Sequence, residues 1–183
     1  MLSESGREHF GGAVGARSFS KLKTIVSGGA TRAESVRNGL DSADPLSNVV
    51  AVHDAARPLV SVDEITRTIE SAAVGGAACL VAEVTDTIKE VRDGLIRGTK
   101  DRSKLRRALT PQAFRTDILR RAFEGVVLSD AATDECYLVE KLGIDIATVD
   151  GSPRNIKITR EDDLRIAEAL LRAADGSQLS VLS

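Results

Sequence analysis

A chain of 183 residues, 42% hydrophobic and 28% charged, suits one soluble globular domain. Its formal net charge of −2 argues against a general nucleic-acid or membrane binder, and no apolar run is long enough to span a bilayer. The two cysteines, Cys79 and Cys136, lie far apart and form no metal-spaced pair, so a disulfide framework is not expected and a reducing cytoplasm fits.

Residues 1–22 carry Gly11, Gly12, Gly15 and several serines without periodicity, and they read as an irregular lead-in to one domain over 23–183. They lack the apolar core of a signal peptide; Arg7 and Arg17 suit a transit peptide, but Glu4 and Glu8 oppose one. Residues 23–26 read as a short strand ending in Gly28-Gly29. Residues 32–43 have helical spacing at Val36, Leu40 and Ala43. Val49 to Val52 form a β-branched run that reads as a buried strand. Ser61 can cap a helix over 62–74, with Asp63 and Glu64 in its first turn and Gly75-Gly76 as its stop. Residues 78–84 are a third strand, in which Cys79 is a small core residue. Residues 85–108 alternate β-like pieces around Asp93-Gly94, a hairpin signal, and then turn strongly basic; they read as a protruding arm. Helices are expected over 114–124 and over 133–142, the second capped by Thr133. Residues 144–149 read as a strand. Thr159 is expected to cap a last helix through residue 171. Strands alternating with helices predict an α/β fold with a mostly parallel sheet.

Five places could carry chemistry. Asp54 and Arg57, in Val52-His53-Asp54-Ala55-Ala56-Arg57-Pro58, emerge where a strand ends, at the edge where open α/β sheets bind ligands. The acid can hold a metal, a ribose hydroxyl or a phosphate-bound water, and the guanidinium can fork onto phosphate; a strand-end cap with a surface ion pair is the plainer alternative. Gly28-Gly29-Ala30-Thr31-Arg32 with Ser35 is either a tight turn into a helix or a set of donors around a nucleotide. Thr110-Pro111-Gln112 is a helix lead-in or part of a site. Thr133-Asp134 reads first as a helix cap. Lys157, flanked by Ile156 and Ile158, lies on a solvated face or points at an anion.

In order and spacing, these motifs resemble the 2-C-methyl-D-erythritol 4-phosphate cytidylyltransferase family. The resemblance rests on Gly28-Gly29, Arg32 and Ser35-Val36; Val52 to Pro58; Asp86-Thr87-Ile88-Lys89; Leu109-Thr110-Pro111-Gln112; Thr133-Asp134 with Leu138-Val139-Glu140; and Asn155 to Thr159 with Glu161-Asp162. It implies a nucleotidyltransferase-type, Rossmann-like fold and a homodimer made by the 85–108 arm. The implied reaction is attack of a methylerythritol phosphate on the α-phosphorus of CTP, with Mg²⁺ spreading the triphosphate charge. Carried over by position, Gly29 and Ser35 resemble cytidine contacts, and Asp54 and Ala55 contacts where ribose meets substrate. Arg57, Thr110 and Thr133 resemble sugar-phosphate contacts. Arg102 and Lys157 resemble the cations that position the phosphate. Thr87 and Arg102 lie in the arm, so the resemblance places them in the partner's site; it assigns no metal ligand.

Two departures stand out. Ala30 replaces an acid that many relatives carry. The family's first strand and glycine-rich Arg loop, which wraps the triphosphate, have no counterpart; Gly11-Gly12-Ala13-Val14-Gly15-Ala16-Arg17 is similar only superficially. The expectation is therefore a truncated copy with impaired activity. The alternatives are a non-catalytic dimerisation or binding remnant and a ribitol phosphate cytidylyltransferase.

Overall fold

In the computed structural model, which describes residues 19–124 and 134–174 together with Gly6, Phe10 and Gly11, the central element is a four-stranded sheet. After helix α1 (Arg32–Asp41) come strand β1 (Val49–Val52), helix α2 (Val62–Gly75) and strand β2 (Ala77–Glu83). A hairpin of β3 (Lys89–Arg92) and β4 (Leu95–Thr99) follows, then a 3₁₀ turn at Arg102–Lys104 and the long strand β5 (Arg106–Arg115). Helices α3 (Thr116–Glu124) and α4 (Glu135–Glu140), strand β6 (Ala147–Asp150) and helix α5 (Glu161–Ala174) complete the order. The sheet runs β1-β5-β2-β6. β1, β2 and β6 point the same way, and β5 runs against them between β1 and β2.

The core follows from the two-residue period of β2, whose side chains alternate between faces. Ala77, Cys79 and Val81 pack with Phe114 against α1, α3 and α4, through Val36, Leu40, Leu119, Phe123 and Val139. Ala78, Leu80 and Ala82 pack on the other face with Leu109, Ala113, Val149 and Ala72 of α2. Both cysteines are buried and free.

Several expectations change. β5 takes residues read as the end of the arm (106–108), as a helix lead-in (110–112) and as the start of a helix (114–115). The pairing skips from Cys79–Gln112 to Val81–Ala108, so two extra residues of β5 bulge where Pro111 sits. Pro111 also lies just beyond the last β1 pair, Val52–Gln112. Its missing amide hydrogen thus costs no ladder bond. Residues 23–26 join no strand, and β1 is a half-buried edge of the described sheet rather than a buried strand. Asp134, not Thr133, caps α4, accepting from the Tyr137 amide at 2.9 Å. At α5 the expected cap is reversed: the Thr159 hydroxyl donates to Asp163. Residues 155–159 belong to no strand. Of the expected lead-in, Gly6, Phe10, Gly11 and residues 19–22 are described, whereas the rest of it, with Gly12 to Arg17 of the similar-looking loop, lies outside the described residues, as does Thr133.

The hairpin forms as its turn residues require, with Asp93 and Gly94 at φ 54 and 74. It shares no sheet with the core and exposes Val91, Leu95 and Ile96.

At α2, Ser61 and Glu64 form a reciprocal capping box, and the free oxygen of Glu64 accepts the Ser152 amide at 2.6 Å. Glu64 is 4% exposed, so one carboxylate ties a helix start to the loop after β6. Glu64→Ala should lower stability by about 1–3 kcal/mol, measured by urea unfolding, because it removes the cap and leaves two part-buried amides without their acceptor.

Candidate active site

The carboxyl ends of β1, β2 and β6 and the start of β5 share one edge of the sheet, and Asp54 stands two residues beyond β1. Three cations from different segments reach its carboxylate. Lys157 Nζ is 3.0 Å from Oδ2, Arg57 Nε is 3.7 Å from Oδ2, and Arg32 Nη2 is 3.4 Å from Oδ1. Arg32 is gripped from its other side by Glu135, with Nη1 to Oε1 at 2.5 Å and Nη2 to Oε2 at 3.0 Å. That is a fork-on-fork pair.

The backbone beneath these groups is fixed. The Asp54 amide donates to Thr110 Oγ1, which also lies 3.0 Å from His53 Nδ1. Arg57 Nη1 donates to the Asn155 carbonyl, and Asn155 Nδ2 donates to the Thr110 carbonyl. The Ile158 amide donates to the Ala56 carbonyl at 2.8 Å. Together these bonds stitch the 54–57 turn to β5 and to the segment carrying Lys157. Asn155 Oδ1 and Arg57 Nε are buried without a hydrogen-bond partner.

Arg32, Arg57 and Lys157 face two acids, Asp54 and Glu135, so the cluster keeps a surplus positive charge suited to an anion. Burial pushes the Asp54 carboxyl up, but the hydrogen bond and charge of Lys157, with Arg32, outweigh it and hold the group below its ordinary value. Burial raises Glu135 above the usual range, and Arg32 offsets only part of that rise. Burial also lowers Arg57, and repulsion from Arg107 on β5 adds to the effect while Asp54 opposes it.

Of the residues expected at a site, Asp54, Arg57 and Lys157 meet directly, with Thr110 beneath them. Thr110 is buried, and its hydroxyl is occupied in closing the end of β1. Ala55 is exposed beside the cluster. Gly29 and Ser35 form a separate turn: the Gly29 amide donates to Ser35 Oγ, which itself donates to the Thr31 carbonyl. A Cβ on Gly29 would lie 2.4 Å from Glu34 Cβ, so the turn requires glycine. Beside Ala30, where the expected acid is missing, the Glu34 carboxylate accepts the Ala30 amide. Thr87 is exposed at the root of the hairpin. Arg102 donates to the Thr85 carbonyl and lines a recess with Glu83, Ser103 and Arg106. Among the described residues, no hydrogen bond or ion pair joins it to Asp54.

The sequence reading assigned no role to Arg32, Glu135, Asn155 or Gln112. Arg32, Gln112 and Asn155 stand inside the motifs, which is the available signal. Glu135 looks like an ordinary first-turn helix acid. Gln112 is buried in β5, donating to Asp134 and accepting the Cys136 amide, which docks α4 on the sheet. Among the described residues, no group of three or more His, Cys, Asp or Glu is placed to share a metal ion. Nor is any helix there long and apolar enough to cross a membrane.

The family described as 2-C-methyl-D-erythritol 4-phosphate cytidylyltransferase matches residues 4–173. The chain is 43% identical over 160 residues to a protein of that name from Syntrophus aciditrophicus, covering 86% of this chain and 68% of that one. It is 41% identical over 179 residues to one from Bacillus velezensis, covering 97% and 77%. The fold is similar to the crystal structure of 4-diphosphocytidyl-2C-methyl-D-erythritol synthase from Anaerococcus prevotii (TM-score 0.83, 26% identity, 94% and 80% covered). It is also similar to the Thermus thermophilus 2-C-methyl-D-erythritol 4-phosphate cytidylyltransferase (TM-score 0.72, 36% identity, 86% and 78% covered). The chain spans about two thirds of the length of several curated relatives that it matches.

The depressed Asp54 carboxyl carries a stability consequence with a definite sign. Its contribution is complete above the ordinary carboxylate value of about 3.9 and is lost as the pH falls through the lower folded value. Thermal unfolding across acidic pH should therefore show the gap between wild type and Asp54→Asn closing as the pH drops through that window. A gap that widens there would contradict the assignment.

Proposed function

The chain belongs to the 2-C-methyl-D-erythritol 4-phosphate cytidylyltransferase family, and we propose that it couples methylerythritol 4-phosphate to CTP. In this reaction a phosphate oxygen of the sugar forms a bond to the α-phosphorus of CTP. The bond from that phosphorus to the β-phosphate oxygen breaks, and pyrophosphate leaves with its electron pair. Such transfers are driven by positioning and electrostatics rather than by a covalent enzyme intermediate.

The observation that carries the reading is the Asp54 cluster, with its surplus positive charge at the carboxyl edge. Lys157 is its most exposed cation, at 43%, which supports a role in meeting an incoming phosphate. Asp54 would hold the Lys157 ammonium in place while Arg57, pinned by Asn155, supplies a second fixed charge. Ser35 and Gly29 would serve the cytidine end.

The carboxylates here fit a protein-held metal poorly. Asp54 and Glu135 are already paired with cations, and Asp134 with Gln112 and the Tyr137 amide. Mg²⁺ therefore enters the proposal only as the counter-ion that CTP brings on its phosphates. The exposed Val91, Leu95 and Ile96 of the hairpin support a homodimer built through this arm, with Thr87 and Arg102 reaching the partner's site. A cytoplasmic location belongs to the same proposal.

Purified chain, CTP, Mg²⁺ and methylerythritol 4-phosphate should release pyrophosphate only when the sugar phosphate is present. Lys157→Ala should lower kcat/KM about a hundredfold or more, with circular dichroism unchanged. Sugar-phosphate binding by calorimetry without turnover would point instead to a binding role, and faster turnover of ribitol phosphate would overturn the choice of substrate. In light scattering, a Val91→Lys, Ile96→Lys variant should fall from dimer mass to monomer mass.

A further inference from the structure

Glu135 is 1% exposed, and both oxygens of its carboxylate are bound to Arg32. Burying a carboxylate is costly, and a packed apolar side chain often replaces such a pair without loss of stability. The geometry suggests what the charge does instead. Both oxygens grip the guanidinium, which fixes its plane. The nitrogen bound to Glu135 Oε2, Nη2, is also the one facing Asp54 Oδ1 at 3.4 Å. Oδ1 is thereby engaged on one side, and Oδ2 turns to Lys157 at 3.0 Å. Glu135 is itself anchored, because the helix it opens is docked by Gln112 through Asp134 and the Cys136 amide.

We propose that Glu135 is a positioning residue: acting through Arg32, it sets the rotation of the Asp54 carboxylate and so the place of the Lys157 ammonium. The kinetic part of this inference rests on the cytidylyltransferase reading; the geometric part does not. Removing the negative charge while keeping the shape, as in Glu135→Gln, places an amide against the guanidinium and loosens Arg32 from Asp54.

The crystal structure of Glu135→Gln tests the linkage without turnover. Arg32 should leave hydrogen-bonding distance of Asp54, and an Arg32 that has not moved would overturn the proposal. In steady-state assays, Glu135→Gln should lower kcat/KM for methylerythritol 4-phosphate about tenfold or more, with the KM for CTP changed less than about twofold. The double variant Glu135→Gln, Asp54→Asn should be no worse than Asp54→Asn alone, because both act through one carboxylate. Losses that multiply would show that Glu135 acts elsewhere and would sink the idea. If Glu135→Gln fails to fold, Arg32→Met removes the same link from its half-exposed end and carries the same kinetic expectations. Wild-type protein inert toward both substrates would count against the activity, and the crystallographic comparison would then decide the linkage.

Discussion

One carboxylate holds the functional edge of this protein together. Arg32 opens helix α1, Arg57 belongs to the turn after β1, and Lys157 lies beyond β6. Three cations brought so close would repel one another in a half-buried place, where charges are poorly screened. Asp54 makes the gathering possible, because each cation reaches one of its two oxygens. The acid thus sets the relative placement of three chain segments, and the remaining positive charge is what an anion would meet.

The strand that supports this edge is the unusual one. β5 runs against its neighbours through the middle of the sheet, yet it carries Thr110 and Gln112 where a core strand usually carries aliphatic groups. Each polar side chain is satisfied by something it positions: the start of the Asp54 turn for Thr110, and helix α4 for Gln112. Beside the cluster, the buried Asn155 Oδ1 and Arg57 Nε are left without a hydrogen-bond partner. A site built this way is stiff, because moving any one group breaks bonds to several others.

What could be read from the sequence was local. Ser61 with Glu64, Asp93-Gly94, and the acid and guanidinium after a β-branched run all signal through neighbours within a few positions; the helix start and the hairpin turn appear as expected, and Asp54 and Arg57 stand together at the strand's end. β5 escaped because Pro111 and Gln112 argue against a core strand; only the bulge beside β2, a feature of pairing, makes the proline tolerable. The mostly parallel sheet was legible from alternating elements, but the antiparallel insertion was not, since pairing order leaves no mark within a strand. Glu135 was invisible for a related reason. Its partner lies 103 residues away, and at close range it resembles any acid in a first helical turn.

Gln112 narrows what the chain can become. Its amide nitrogen gives to Asp134 and its oxygen takes from the Cys136 amide, so both ends of one group are committed with opposite sense. Glutamate there would set two carboxylates against each other. Leucine would leave the Cys136 amide and one oxygen of Asp134 without their Gln112 bonds, and asparagine would be a methylene too short. Hydrogen-bond polarity and reach thus both favour glutamine at this position. A change there would loosen the hold of the sheet on α4, and with it the seat of Glu135.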